Sequence, residues 1–332
     1  MKRKYFVGLA GALCVLALLA GCAAKSSSSS TASSITVQPD EVALNQQLEE
    51  LAGGEYAPLK EFVDASLAKA TPAQAGEMVQ ALILASERQL TSAAEYIYGE
   101  NSREIQAAIL AALPEAPTET ENLSTLCASD KEALLDKMPE GEIKTQLSAW
   151  MEMGLCLHNA EGTYFFVVDY PEYLVEYGQT VDGATADFLT LAADEVKAPT
   201  LVEEYLSVDV ETLGQRALAY ETFLSQYPDF ALADKVRIYW NGALSKLVYP
   251  TLYDQLVDEA GQASADLMAL YQELAGQTAC PVLQSTAQSM LDFIAAQPDQ
   301  SLADSDQVSQ NASALAEEAR QMADELYGPM PQ

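Results

Sequence analysis

The stretch VETLGQRALAYETFLSQYPDFALADKVRIYWNGALSKL, from Val210 to Leu247, decides the fold. Val210, Leu213, Ala217, Tyr220 and Leu224 recur at steps of three and four, the spacing of one helix face. Tyr227-Pro228-Asp229 then breaks the run. Proline lacks an N–H and pushes the residue before it out of helical conformation. Past the break, Ala233, Val236, Trp240, Ala243 and Leu247 repeat the same spacing. Two apolar stripes joined by a short turn predict an antiparallel helix hairpin.

Reading outward toward the C-terminus, helices are expected over Leu252 to Glu259, Ser264 to Leu274, Val282 to Ala296 and Asp306 to Tyr327. Pro281, Pro298 and Gly328 punctuate them. Toward the N-terminus, helices are expected over Gly183 to Lys197 and from Asp169 to a stop at Gly178, with Pro171 in the first turn. Glu142 to Met153 turns Ile143, Leu147, Trp150 and Met151 inward, and Ser129-Asp130-Lys131-Glu132 has the form of a capping box. Asn101 caps a helix carrying Ile105, Ala108, Ile109 and Ala112. Thr71-Pro72 opens another with Met78, Val79, Leu82, Ile83 and Ala85 on its apolar face. Pro114, Pro117 and the polar residues from Glu115 to Asn122 mark an internal linker between a helical region over 40–114 and a helical domain over 123–332.

One segment breaks the helical period. Gly154 to Leu157 and Thr163 to Val168 are rich in β-formers, and His158-Asn159-Ala160-Glu161-Gly162 between them reads as a turn. The fold class is therefore mainly α, stacked antiparallel helix pairs with one small β-hairpin near 154–168. Ala219 to Phe230 resembles the end of a tetratricopeptide helix and the turn after it, with Ala233 and Tyr239 where small and aromatic packing residues follow. No clean repeat of about 34 residues flanks it, and such arrays need about three units. The resemblance implies a packing style, a curved stack of helix pairs.

The first residues give an address. Lys2, Arg3 and Lys4 precede an uncharged apolar run from Tyr5 to Ala20, shorter than the roughly 20 residues that span a bilayer. It closes on Leu19-Ala20-Gly21-Cys22. Here the chain resembles a bacterial lipoprotein precursor, with Leu19 to Cys22 as its lipobox. That resemblance implies a signal peptide over 1–21, acylation of the Cys22 sulfur and anchoring to membrane lipid outside the cytoplasm. Two acyl chains hold stably where one does not. Over 22–39 the serine-rich run, Ser26 to Ser34, cannot bury apolar area and reads as a flexible leash.

The formal net charge is −32. From Leu247 to Gln332 there are 13 acids and one base, Arg320. Such a surface repels nucleic acid and anionic headgroups, so no nucleic-acid partner is expected. Charge of this kind argues first for solubility. Of five cysteines, Cys14 leaves with the signal and Cys22 carries lipid. Cys127, Cys156 and Cys280 then form either three buried thiols, the favoured reading, or one disulfide and a thiol.

Catalytic signals are absent from the sequence pattern. There is no Gly-rich phosphate loop and no nucleophile elbow. His158 is the single histidine, which argues against histidine-based metal and acid–base sites; in a turn it reads as a surface or packing residue. Carboxylate pairs such as Glu203-Glu204 and Glu317-Glu318 are expected by chance among 49 acids. Asp304-Ser305-Asp306 lacks the remaining ligands of a calcium loop. No catalytic residue, metal or cofactor is assigned. Ten of the 16 tyrosines fall between Tyr164 and Tyr253. Most of those rings are expected to pack the hairpin onto the helices. Tyr170, Tyr173 and Tyr177 share one face of a short helix and are the first candidates for a binding surface. The leading expectation is a non-enzymatic scaffold or protein- and peptide-binding module at the cell envelope. A solute-binding lipoprotein and a carboxylate-dependent envelope hydrolase are the alternatives.

Overall fold

Capping chemistry sets where most helices begin. The computed structural model describes residues 39–113, 128–160, 162–202, 204–297, 302 and 306–329. The leader with Cys22, the serine-rich run, the 115–122 stretch and Cys127 lie outside the described residues. First come α1 (Pro39–Ala52), α2 (Tyr56–Ser66), a 3-10 turn (Leu67–Lys69), α3 (Pro72–Ile97) and α4 (Ser102–Ala112). Then α5 (Ala128–Lys137) and α6 (Glu142–Glu152) lead into β1 (Leu155–Ala160) and β2 (Thr163–Val168). After α7 (Tyr170–Tyr177) and α8 (Gly183–Lys197) comes a second, two-residue hairpin, β3 (Leu201–Val202) with β4 (Tyr205–Leu206). It is followed by α9 (Val210–Gln226), α10 (Ala233–Val248), α11 (Ala265–Ala275), α12 (Pro281–Ala296) and α13 (Asp306–Tyr327). The fold is mainly α, as the periodicity predicts.

Thr71 and Gln74 form a reciprocal capping box at the start of α3. Asp169, Asp182, Asp209 and Ser264 each accept the backbone N–H three residues on. Such a cap stabilises a helix by about 1 kcal/mol. Two expected caps differ. Asn101 precedes α4 without a side-chain bond. The helix expected to start at Ser129 starts at Ala128, which places Ser129 inside its first turn.

The hairpin pairs Leu157 with Phe166 and His158 with Phe165 in antiparallel register. Its strands run on through Ala160 and Thr163, so the turn is shorter than the sequence suggests, and Gly162 takes a φ of 79° there. Two strands alone are marginal. Here β2 lies on α3, and the Gln106 amide of α4 bonds the free edge. It donates to Tyr164 O and accepts from Tyr164 N, both at 2.8 Å.

From Pro39 onward the chain is one compact unit. The helices before and after the 115–122 stretch thus belong to the same unit. The reason is α3: Met78, Val79, Leu82, Ile83 and Ala85 are all fully buried, and β2 and α8 help complete their cover. Helices pack as consecutive pairs α7–α8, α9–α10 and α11–α12. The pairs begin at Tyr170, Val210 and Ala265, unequal steps that fit no regular repeat. Phe188, Phe223 and Phe230 form a ring cluster between α8 and α9, with centroids 5.3 to 6.5 Å apart.

The last helix is latched by a buried network. Arg237 stacks against Trp240 and Tyr327 and donates to Ala323 O and to Asp324 Oδ1 at 3.1 and 2.7 Å. The Tyr327 hydroxyl donates to Glu221. Glu221, fully buried, also accepts Val282 N and Leu283 N at 2.8 and 3.0 Å, a carboxylate seated on the positive end of α12.

Candidate functional site

The tyrosines singled out in the sequence do share a face of α7, and it is the inward one. Tyr170, Tyr173 and Tyr177 are all buried. Tyr170 donates to Glu87 at 3.2 Å and Tyr177 to Asp64 at 3.1 Å. The Tyr173 hydroxyl lies 2.8 Å from Ser86 Oγ and 3.2 Å from Tyr56. Burial pushes all three phenols up. They bind α7 to α2 and α3 and leave no free face of tyrosines there. The spacing identified a common face; the partners that turn it inward lie some hundred residues earlier in the chain.

His158 stands in β1 rather than in the turn. It is buried, stacked on Phe165 with centroids 5.4 Å apart, and burial pushes its imidazole down. Cys156 and Cys280 are both buried; Cys280 is a free thiol whose pKa burial raises. Glu221 is pushed up by burial against the pull of its hydrogen bonds, and its oxygens are taken up by α12 and Tyr327 in the core. Among the described residues no group of three or more His, Cys, Asp or Glu could hold a metal ion.

A concave site forms where a predicted helix does not. Leu252 to Glu259 carries a helical pattern, yet the chain there runs in turns from the end of α10 to Ser264. Pro250 stops α10. Thr251 Oγ1 accepts Asp254 N and donates to Asp254 Oδ2, closing a local turn. Gln255 has a φ of 58°, a left-handed backbone rare outside glycine. Asp254 decides the outcome. Its side chain is wholly buried, its Oδ2 lies 2.9 Å from Lys246 Nζ, and its Oδ1 accepts Leu206 N at 2.7 Å. Burial alone would raise this carboxyl. The bonds from Leu206, Lys246 and Thr251 outweigh it and hold the group below the usual carboxylate range. Lys246 also donates to Glu204 O, so α10 and the β3–β4 hairpin grip the loop together.

The rest of the loop is fixed by Asp258, whose Oδ1 accepts Ala260 N and Gln262 N, both at 2.9 Å. Gly261, with a φ of 74°, completes that turn, and Val257 bridges to Ala263. Between this loop, α12 and α13 lies a pocket of about 370 Å³. That is within the range of ligand sites. Val248, Val257, Met290, Leu302 and Ala312 form its buried lining. Its rim is open and aromatic. Tyr253 is 82% exposed and Leu252 51%. Tyr253 meets the exposed Tyr205 edge-on, and Tyr249 is held to α13 by a 2.9 Å bond to Ser313. Asp258 and Glu259, both exposed, line the same opening.

The arrangement offers shape, apolar area and negative charge. Only the aromatic count between Tyr164 and Tyr253 hinted at it in the sequence. Comparison with protein-family models, with curated proteins and with solved structures finds no match to this chain.

Proposed function

We propose that this chain is a lipid-anchored binding protein of the cell envelope, held by acyl chains on Cys22 and recognising a protein or peptide partner at the pocket between α10, α12 and α13. Lys2 to Cys22 and the serine-rich run support the anchor. No helix among the described residues is long and apolar enough to cross a membrane. The observation that carries the recognition is the pocket itself. Exposed Leu252 and Tyr253 stand over a buried apolar lining, on a loop that a buried ion pair holds in place. Tyrosine at the mouth of a desolvated pocket is a common anatomy of binding hot spots.

The test has two readouts. Cys22→Ala moves the protein from the membrane fraction to the soluble one. Affinity purification from detergent-solubilised membranes, compared between the native chain and a Leu252→Ser, Tyr253→Ala variant, identifies a partner that the variant loses. A Cys22→Ala protein that stays in the membrane overturns the anchor. Identical partner profiles for native and variant proteins overturn the recognition site.

A further inference from the structure

The geometry points to a basic peptide as the occupant of this pocket: a segment that seats one large apolar side chain in the cavity and sets lysine or arginine beside it, against Asp258 and Glu259. The inference rests on the recognition reading above and adds its chemistry.

The inside of the pocket is apolar. Met290, Leu302, Ala312 and Val248 are each at most 5% exposed, and among the described residues no lysine or arginine lines the cavity. The nearest base in sequence, Lys246, is consumed by Asp254 and Glu204 O. The cavity therefore takes an uncharged group. The mouth is different. Asp258 is held rigidly, because one of its oxygens accepts two backbone N–H groups, and Glu259 follows it. Two carboxylates beside an apolar opening favour a cation next to an apolar anchor.

Charge excludes the other occupants. A second copy of the chain brings a net charge of −32 to a surface already acidic. From Leu247 to Gln332 there are 13 acids against Arg320 alone, and Arg320 is 3.4 Å from Glu317. Nucleic acid and anionic lipid carry the same sign and are repelled. A basic peptide is attracted, and that attraction is screened by salt.

The experiment uses the full, detergent-solubilised chain and three labelled peptides of equal length. Each carries one central phenylalanine, flanked by lysine, glutamine or glutamate, and binding is read by fluorescence anisotropy. The lysine peptide is expected to bind roughly two- to tenfold more tightly than the glutamine peptide, the gain of one or two exposed ion pairs. The glutamate peptide binds weakest. Raising salt from about 20 mM to about 500 mM, which shortens the screening length severalfold, removes most of the lysine advantage. Asp258→Asn with Glu259→Gln also removes it. The side-chain carbonyl oxygen that Asp258→Asn retains can still accept Ala260 N and Gln262 N, so the loop keeps its form. Equal binding of lysine and glutamine peptides, lost on Leu252→Ser with Tyr253→Ala, overturns the charge inference and leaves the pocket reading intact. Lysine-peptide binding that survives the rim variant overturns both, since the attraction then lies elsewhere. No binding by any peptide also overturns both.

Discussion

Lys246 Nζ stands 2.9 Å from Asp254 Oδ2, and neither side chain is more than a tenth exposed. The pair joins the last turn of α10 to the loop that walls the pocket. Removing one member strands a buried charge, a loss of about 3–5 kcal/mol. Asp254→Ala should therefore loosen the loop and lower stability by about that amount. Hydrogen exchange at Leu206 N, which donates to Asp254, should quicken most clearly. Unchanged exchange there would deny the pair its role. Replacing both members by apolar residues of similar size should recover much of the loss, because the cost lies in the charge left alone.

Acid should act on the same pair. The Asp254 carboxyl lies below its ordinary value in the folded protein. On acidification the unfolded chain takes up this proton first, which drains stability from the native state. The contribution is fully present above the unfolded value of about 3.9 and is lost as pH falls through the folded one. Melting curves from about pH 6 down to about pH 3 should show a steeper fall for the native chain than for Asp254→Asn, which has no carboxylate to titrate there. Parallel curves would show that the loop is held by packing instead.

Gly154 packs tightly behind α7. Its φ of 74° is left-handed, and an added Cβ would stand 2.5 Å from the Tyr173 hydroxyl and 2.6 Å from Ser86 Oγ. Gly154→Ala meets a backbone cost of about 1–2 kcal/mol together with a clash in a packed site. A drop in melting temperature larger than that of Tyr173→Phe is expected, since the latter removes one hydroxyl for about 1 kcal/mol.

Local signals made most of the helices legible. Thr71, Asp169, Asp182, Asp209 and Ser264 each bond within three residues, so the information for those helix starts lies beside them. The pocket loop was illegible for the opposite reason. Leu252, Leu256 and Glu259 fit a helix, and what overrides that fit is Asp254 reaching Lys246 and, across 48 residues, Leu206. The direction of α7 was hidden in the same way. Spacing put Tyr170, Tyr173 and Tyr177 together, but Tyr56, Asp64, Ser86 and Glu87 decide that they face inward. Burial follows from partners distant in sequence, and a periodic pattern carries no record of them.

The latch on α13 should divide unequally between its two charges. Arg237 has a side chain only 5% exposed, while Asp324 is 45% exposed. Arg237→Ala removes the stacking on Trp240 and Tyr327 as well as both hydrogen bonds, and opens space in the core. Asp324→Ala takes one carboxylate from the guanidinium, but Arg237 keeps Ala323 O and both rings, and the half-exposed Asp324 position admits water to the charge, so the loss is the smaller of the two. Limited proteolysis should release α13 readily from the first variant and scarcely from the second. Equal resistance in both would place the hold on α13 in its apolar face alone.

The pocket can be emptied of function in two ways that differ in stability. Leu252→Ser with Tyr253→Ala strips the rim, where both side chains already lie largely in solvent. Surface changes of this kind usually shift stability by about 0.5 kcal/mol or less. Ala312→Phe works from the other side: Ala312 is buried on α13 and lines a cavity of about 370 Å³. A ring placed there fills open space instead of displacing packed atoms, so the melting temperature should hold or rise, the usual result of filling a cavity. Both variants should lose the lysine-flanked peptide. Their shared defect then comes from the site, because one has lost exposed surface and the other has gained buried contacts. If Ala312→Phe is stable and still binds, the apolar anchor does not enter the cavity, and recognition belongs to the rim alone.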